Sequence, residues 1–119
     1  MIQGKVWGTT ELVFEDGATV RVHLLNITQG SYCSTHKHEY KANVFYVLSG
    51  KLEIALWPQG VSDEDGQPDV TIIGPGQSTT VDVGLWHRFR AISDVVCIEI
   101  CTGRIVGDDI IRRSTGGTF

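Results

Sequence analysis

His36 and His38 stand two residues apart. On an extended strand both side chains leave the same face, about 6.6 Å apart along it by the strand rise. Two imidazoles so placed can converge on one ion at about 2.0 to 2.1 Å from each nitrogen. Surface strands also carry such a pair by chance, so the spacing alone leaves a metal site and a bland surface pair both open. A carboxylate is the second candidate group. Cys97, Glu99 and Cys101 alternate with Val96, Ile98 and Ile100, so on a strand Glu99 shares a face with two thiols. Those thiols lie about 13 Å apart at the strand rise, beyond the about 7 Å that a disulfide spans, and too far to hold one metal together. With Cys33 they make an odd set of three, which argues against a secreted disulfide framework and for buried small hydrophobes. His23, mid-strand among Val22, Leu24 and Leu25, reads as a structural or surface histidine.

The elements that must position these groups are strands. β-branched and aromatic runs cover 12–14, 19–27, 32–38, 43–48, 51–57, 70–73, 78–81, 86–92 and 95–101, separated by turn signals such as Gln29-Gly30, Ser49-Gly50, Gly74-Pro75-Gly76 and Asp82-Val83-Gly84. The acidic stretch 58–69 is expected to be a solvated hairpin loop. Within 108–113, Asp108 is placed to cap one helical turn, where Arg112 would pair with it at i+4, and 114–118 reads as a loose tail. Fourteen glycines, three prolines and 119 residues fit one all-β domain over 1–119, a sandwich or barrel. The formal charge of −4 with scattered basic residues excludes a nucleic-acid or anionic-membrane partner from the expectations. No apolar run reaches membrane-spanning length, and the start Met1-Ile2-Gln3-Gly4-Lys5 lacks a signal-peptide core, so the cytoplasm is the expected compartment.

Gly30, five residues, His36-x-His38, four residues, Asn43, six residues and Gly50 resemble the first motif of the cupin family, with Asn43 where that family has Glu. Gly76, five residues, Asp82-x-Gly84, two residues and His87 resemble the second, with Asp82 in place of Pro and Ala91 in place of its final Asn. The resemblance implies a double-stranded β-helix, or jelly-roll, barrel. It also implies a divalent metal ion (Zn, Mn, Fe or Ni) held by His36, His38 and His87, with Asn43 at the carboxylate position. An amide offers only a neutral oxygen, a poorer ligand for a dication. Three imidazoles with water at the open positions remain a workable set, and three histidines in a metal-free polar pocket are the alternative. Glu39 falls on the opposite strand face from His38 and is a poor substitute ligand.

Lys5-Val6-Trp7-Gly8, Lys41-Ala42-Asn43, Gly84-Leu85-Trp86-His87-Arg88, Ile98-Glu99-Ile100-Cys101-Thr102-Gly103 and Asp108-Asp109-Ile110-Ile111-Arg112 further resemble the type II mannose-6-phosphate isomerase domain. That resemblance implies metal-assisted aldose–ketose isomerisation of a sugar phosphate. Such chemistry needs a base beside the carbonyl, an electrophile for the developing oxyanion and a cation for the phosphate. Glu99 is the candidate base, and Lys41, Arg88 or Arg112 the cation. Phe45, on the same strand face as Asn43, is a candidate pocket wall. Each has a duller counterpart, as a solvent-facing carboxylate, a turn lysine, a helix-pairing arginine or a core ring. A non-catalytic sugar- or ligand-binding module and a metal-dependent dioxygenase fit the same residues. A homodimer is expected, with the strand over 5–14 available for the interface.

Overall fold

The computed structural model describes residues 2–60 and 66–119. Every regular element among them is a β-strand. In chain order these are β1 (Ile2–Lys5), β2 (Gly8–Asp16), β3 (Val20–Ile27), β4 (Ser31–Tyr32), β5 (His36–Lys37), β6 (Lys41–Ser49) and β7 (Leu52–Leu56). There follow β8 (Asp69–Ile73), β9 (Ser78–Val81), β10 (His87–Ala91), β11 (Val95–Gly103), β12 (Ile111–Arg112) and β13 (Gly117–Thr118). All pairings are antiparallel. One sheet runs β1-β2-β3-β11-β6-β9, and the other joins β12, β5, β10, β4 and β13, with β7 on β10 and β8 on β7. The two sheets form the expected all-β jelly-roll.

Strand periodicity decides what each sheet turns inward. On β10, His87, Phe89 and Ala91 are buried while Arg88 and Arg90 are half-exposed. On β11, Val95, Cys97 and Cys101 are buried. In register, the inward row Leu25–Cys97–Val47 is apolar; the next, His23–Glu99–Phe45, is mixed; the third, Arg21–Cys101–Asn43, is polar. The closed half of the barrel is therefore a hydrocarbon core of Leu25, Ile27, Phe45, Val47, Leu52, Ile54, Phe89 and their neighbours. The other half opens onto polar side chains. All three cysteines are buried and free, as their number and spacing indicated. At the Ser49–Gly50 turn, Gly50 has φ +85°, and a Cβ there would sit 2.0 Å from the Asp94 carbonyl oxygen, so only glycine fits.

Four local expectations are corrected. The helical turn over 108–113 does not form: Ile111 and Arg112 pair with Lys37 and His36 as an edge strand. Six residues nucleate a helix poorly, whereas the open edge of β5 offers ready backbone partners. Asp108 is therefore no helix cap, and its i+4 pairing with Arg112 loses its basis. The tail is not loose either, because Gly117 and Thr118 pair with Tyr32 and Ser31 and the Phe119 N–H donates to the Gly30 carbonyl at 2.7 Å. The strand over 32–38 is interrupted. β4 meets β10 at Arg90 and β5 meets the same edge at His87, with 33–35 carried between them, where the Thr35 N–H donates to Ser114 Oγ at 2.8 Å. The N-terminal strand over 5–14 is a hairpin of β1 and β2, and Trp7 at its turn is buried edge-on against Phe89 at 5.1 Å. Residues 61–65 of the acidic loop over 58–69 lie outside the described residues.

Phe45 is 1% exposed and stacks edge-on to Phe89 at 6.0 Å, so it is a core ring. Phe45→Ala is expected to cost about 3–5 kcal/mol of stability, read by chemical denaturation; a loss under 1 kcal/mol would contradict this packing.

Candidate metal centre

β5 and β10 bring His36 and His87 directly opposite each other, and the chain leaving β5 adds His38. The ring centroids are 4.4 Å apart for His36–His87, 5.0 Å for His36–His38 and 5.3 Å for His38–His87. One ligand nitrogen from each lies within 4.8 Å of the others. The Nδ1 atoms are taken. His36 Nδ1 meets the Ser34 carbonyl at 2.6 Å, His38 Nδ1 the Asp109 carbonyl at 2.6 Å, and His87 Nδ1 the Leu85 carbonyl at 2.9 Å. A carbonyl only accepts, so each Nδ1 carries the hydrogen and donates it, leaving each Nε2 with a free lone pair.

Burial keeps the rings neutral. It pushes His36 down to about 3, with His87 and His38 beside it adding to the shift, and His87 down to about 4. It lowers His38 as well. His87 Nε2 and Asn43 Oδ1 are both buried with no hydrogen-bond partner. Such atoms are costly to leave unpaired, and three neutral imidazoles with ligand nitrogens this close together are a donor set that a divalent cation satisfies. The residues present therefore fit a metal ion.

His36 and His38, with His87 buried behind them, line a cavity of about 380 Å³, within the range of small-molecule sites. Glu99, Lys41 and Arg112 line it, as do His23 and Lys5, with Trp7, Cys33 and Phe89 on its apolar side. Glu99 Oε2 accepts a hydrogen bond from Asn43 Nδ2 at 2.7 Å. The carboxylate absent from position 43 is thus present one strand away, tied to the amide that stands there. Two expected contacts are not brought to the site. Arg88 alternates away from His87 on β10, and its guanidinium lies 5.7 Å over the Tyr32 ring; Phe45 lies in the core and not on the cavity wall.

Two residues escaped the sequence reasoning. His23 shares strand parity with the buried Leu25 and Ile27, a period-two signal that points it inward. Asp109 supplies the carbonyl for His38, and its carboxylate accepts the Glu39 and Tyr40 N–H groups at 2.7 and 3.1 Å. No local pattern announces a contact across 71 residues.

A cupin-domain family model matches residues 23–102. The chain belongs to the cupin family. No curated protein matches it in sequence. Among solved structures, KdgF from Halomonas sp. is 18% identical with a TM-score of 0.71, covering 87% of this chain and 88% of that one. The capsular polysaccharide assembling protein CapF of Staphylococcus aureus is 16% identical with a TM-score of 0.77, covering 97% and 34%. Lactobacillus farciminis oxalate decarboxylase, solved as a formate complex, is 13% identical with a TM-score of 0.77, covering 94% and 33%. The chain thus spans about a third of those two proteins, and at these identities the likeness is one of fold. No helix among the described residues is long and apolar enough to cross a membrane. The cupin match leaves out the β1–β2 hairpin and the β12–β13 segment, which supply Lys5, Trp7, Asp109 and Arg112 to this site.

Chelator-treated protein is expected to lose stability as pH falls from about 6.5 towards 4. Unfolded histidines take up protons below 6.5, while folded His36 and His87 resist until about 3 and 4, so acid favours the unfolded chain across that window. Thermal melts at stepped pH check this, and a flat melting temperature between pH 7 and 4.5 would contradict it.

Proposed function

We propose that this cupin is a metal-dependent isomerase of a small hydroxy-carbonyl compound, a sugar phosphate being the substrate that the sequence resemblance implies. The observation that carries the proposal is the set of three Nδ1 hydrogen bonds to backbone carbonyls, which turns three neutral imidazoles into ready ligands. His36, His38 and His87 would hold the ion, with Asn43 Oδ1 as a neutral fourth donor. Imidazole-rich sites suit Zn, Fe or Ni better than Mn. When bound, the ion supplies Lewis-acid polarisation of the substrate oxygens.

The remaining chemistry belongs to the chain. Glu99 removes the proton from the carbon beside the carbonyl and returns it to the neighbouring carbon. Asn43 Nδ2 fixes the carboxylate through Oε2, leaving Oε1 for the proton. Lys41 and Arg112 line the same cavity and meet the anionic end of the substrate, a task that falls to them now that Arg88 faces away. Trp7 and Phe89 keep water from the reacting carbons. A homodimer is part of the proposal, with the exposed Val13 and Phe14 of β2 at its interface. Asn43 favours one second possibility, a cupin that retains a ligand pocket without turnover, because an amide replaces the charged ligand.

Three measurements separate these possibilities. Protein purified without added metal is analysed for bound ions, then assayed with mannose 6-phosphate and fructose 6-phosphate. Metal with isomerisation supports the proposal; metal without it favours oxygen-dependent cupin chemistry; neither favours the binding module. Glu99→Gln is expected to lower kcat by about 10²- to 10⁴-fold with metal content unchanged, and full activity in that variant rules out the base. Asn43→Glu sets two carboxylates side by side at the position of the present 2.7 Å hydrogen bond. It should tighten metal binding and destabilise the chelated protein; unchanged metal affinity would show that this position does not reach the ion.

A further inference from the structure

The sheet facing the histidine trio carries a second group of metal-ligating atoms. His23 on β3 and Glu99 on β11 are direct cross-strand partners, and Cys101 follows two residues along the same inward face. One ligand atom from each lies within 4.8 Å of the others. His23 Nδ1 stands 3.8 Å from Glu99 Oε1, too far for a hydrogen bond. That nitrogen is buried and has no hydrogen-bond partner. Glu99 Oε2 is occupied by Asn43, so Oε1 is the atom left facing the imidazole. An imidazole, a carboxylate and a thiol meet here with two of their ligand atoms uncommitted.

We infer that His23, Glu99 and Cys101 form a second cation site, distinct from the three-histidine centre and selective for a thiophilic divalent ion such as zinc or cadmium. Nitrogen, oxygen and sulfur in one cluster are zinc's usual donors, and a thiolate discriminates against magnesium, calcium and manganese. On binding, the Cys101 S–H proton leaves to water as the metal–sulfur bond forms, with no change of oxidation state. Burial and the Glu99 carboxylate push the Cys101 thiol up to about 12, against which the Lys41 side chain, hydrogen-bonded to the sulfur, works only in part, so the metal itself must displace the proton. Lys41, Arg21 and Lys5 also place positive charge near His23, so this site fills after the histidine centre. If the reaction proposed above is correct, filling it removes Glu99 from service as a base and inhibits the enzyme; the binding itself does not rest on that reaction.

Cobalt(II) is the probe, titrated into the full-length protein. The histidine centre offers no sulfur, so the first equivalent should add no thiolate-to-cobalt charge-transfer absorption, and the second should bring that near-ultraviolet band. Cys101→Ser is expected to lose the band and keep the first equivalent, Cys33→Ser to keep both, and His23→Gln to weaken the second equivalent about tenfold or more. His87→Gln should weaken the first equivalent and leave the band, so failure of the histidine centre and failure of this site are told apart. Absence of the band at excess cobalt overturns the inference. So does a band that survives Cys101→Ser, or an unchanged second affinity in His23→Gln.

Discussion

Three hydrogen bonds from imidazole Nδ1 atoms to the carbonyls of Ser34, Asp109 and Leu85 are the constraint on which this protein's chemistry depends. Each does two things at once. It fixes the tautomer, so that the remaining nitrogen is a lone-pair donor, and it fixes the ring's rotation about its side-chain bonds. Because the acceptors are backbone atoms, the orientation is set by the course of the chain and not by another mobile side chain. Two of the carbonyls come from two residues upstream of the histidine they hold, so an ordinary strand entry supplies them. The third comes from a separate segment, which makes the strap ending in β12 and β13 part of the centre.

The barrel around this centre solves a problem of polarity. A cluster of unprotonated imidazoles needs burial to stay neutral, yet burial of polar atoms is costly unless they are paired. The fold separates the two demands by rows. Leu25, Cys97 and Val47 give a dry layer; His23 and Glu99 come next beside Phe45; Asn43 and Cys101 follow. Along these three rows the polar atoms are thereby gathered at one end. The Asn43–Glu99 hydrogen bond belongs to this arrangement. It keeps a negative charge inside the cavity without another carboxylate pressed against it.

What could be read from the amino-acid order follows the same physics. The histidine spacing, the strand alternation and the turn glycines are local or near-local signals, and the barrel and the trio came from them together with the family resemblance. The inward face of Glu99 is legible because its neighbours alternate cleanly. The same parity turns Arg88 away from His87, although its adjacency to that histidine in sequence suggests a shared site. His23 is harder to read because Val22, Leu24 and Leu25 blur the alternation that only Leu25 and Ile27 resolve. The segment over 108–118 looked helical and then slack because its partners at 31–37 are distant in sequence, and edge pairing leaves little trace in the strand that receives it.

The strap has a consequence for how far a change at the chain's end can reach. His38 and the Asp109 carbonyl that orients it are 71 residues apart, and β12 holds that segment against β5. Freeing β12 and β13 from their partners would release the ring of His38 while leaving the carbonyls that hold His36 and His87 in place. One of the three imidazoles is thereby answerable to a segment that belongs to neither core sheet row.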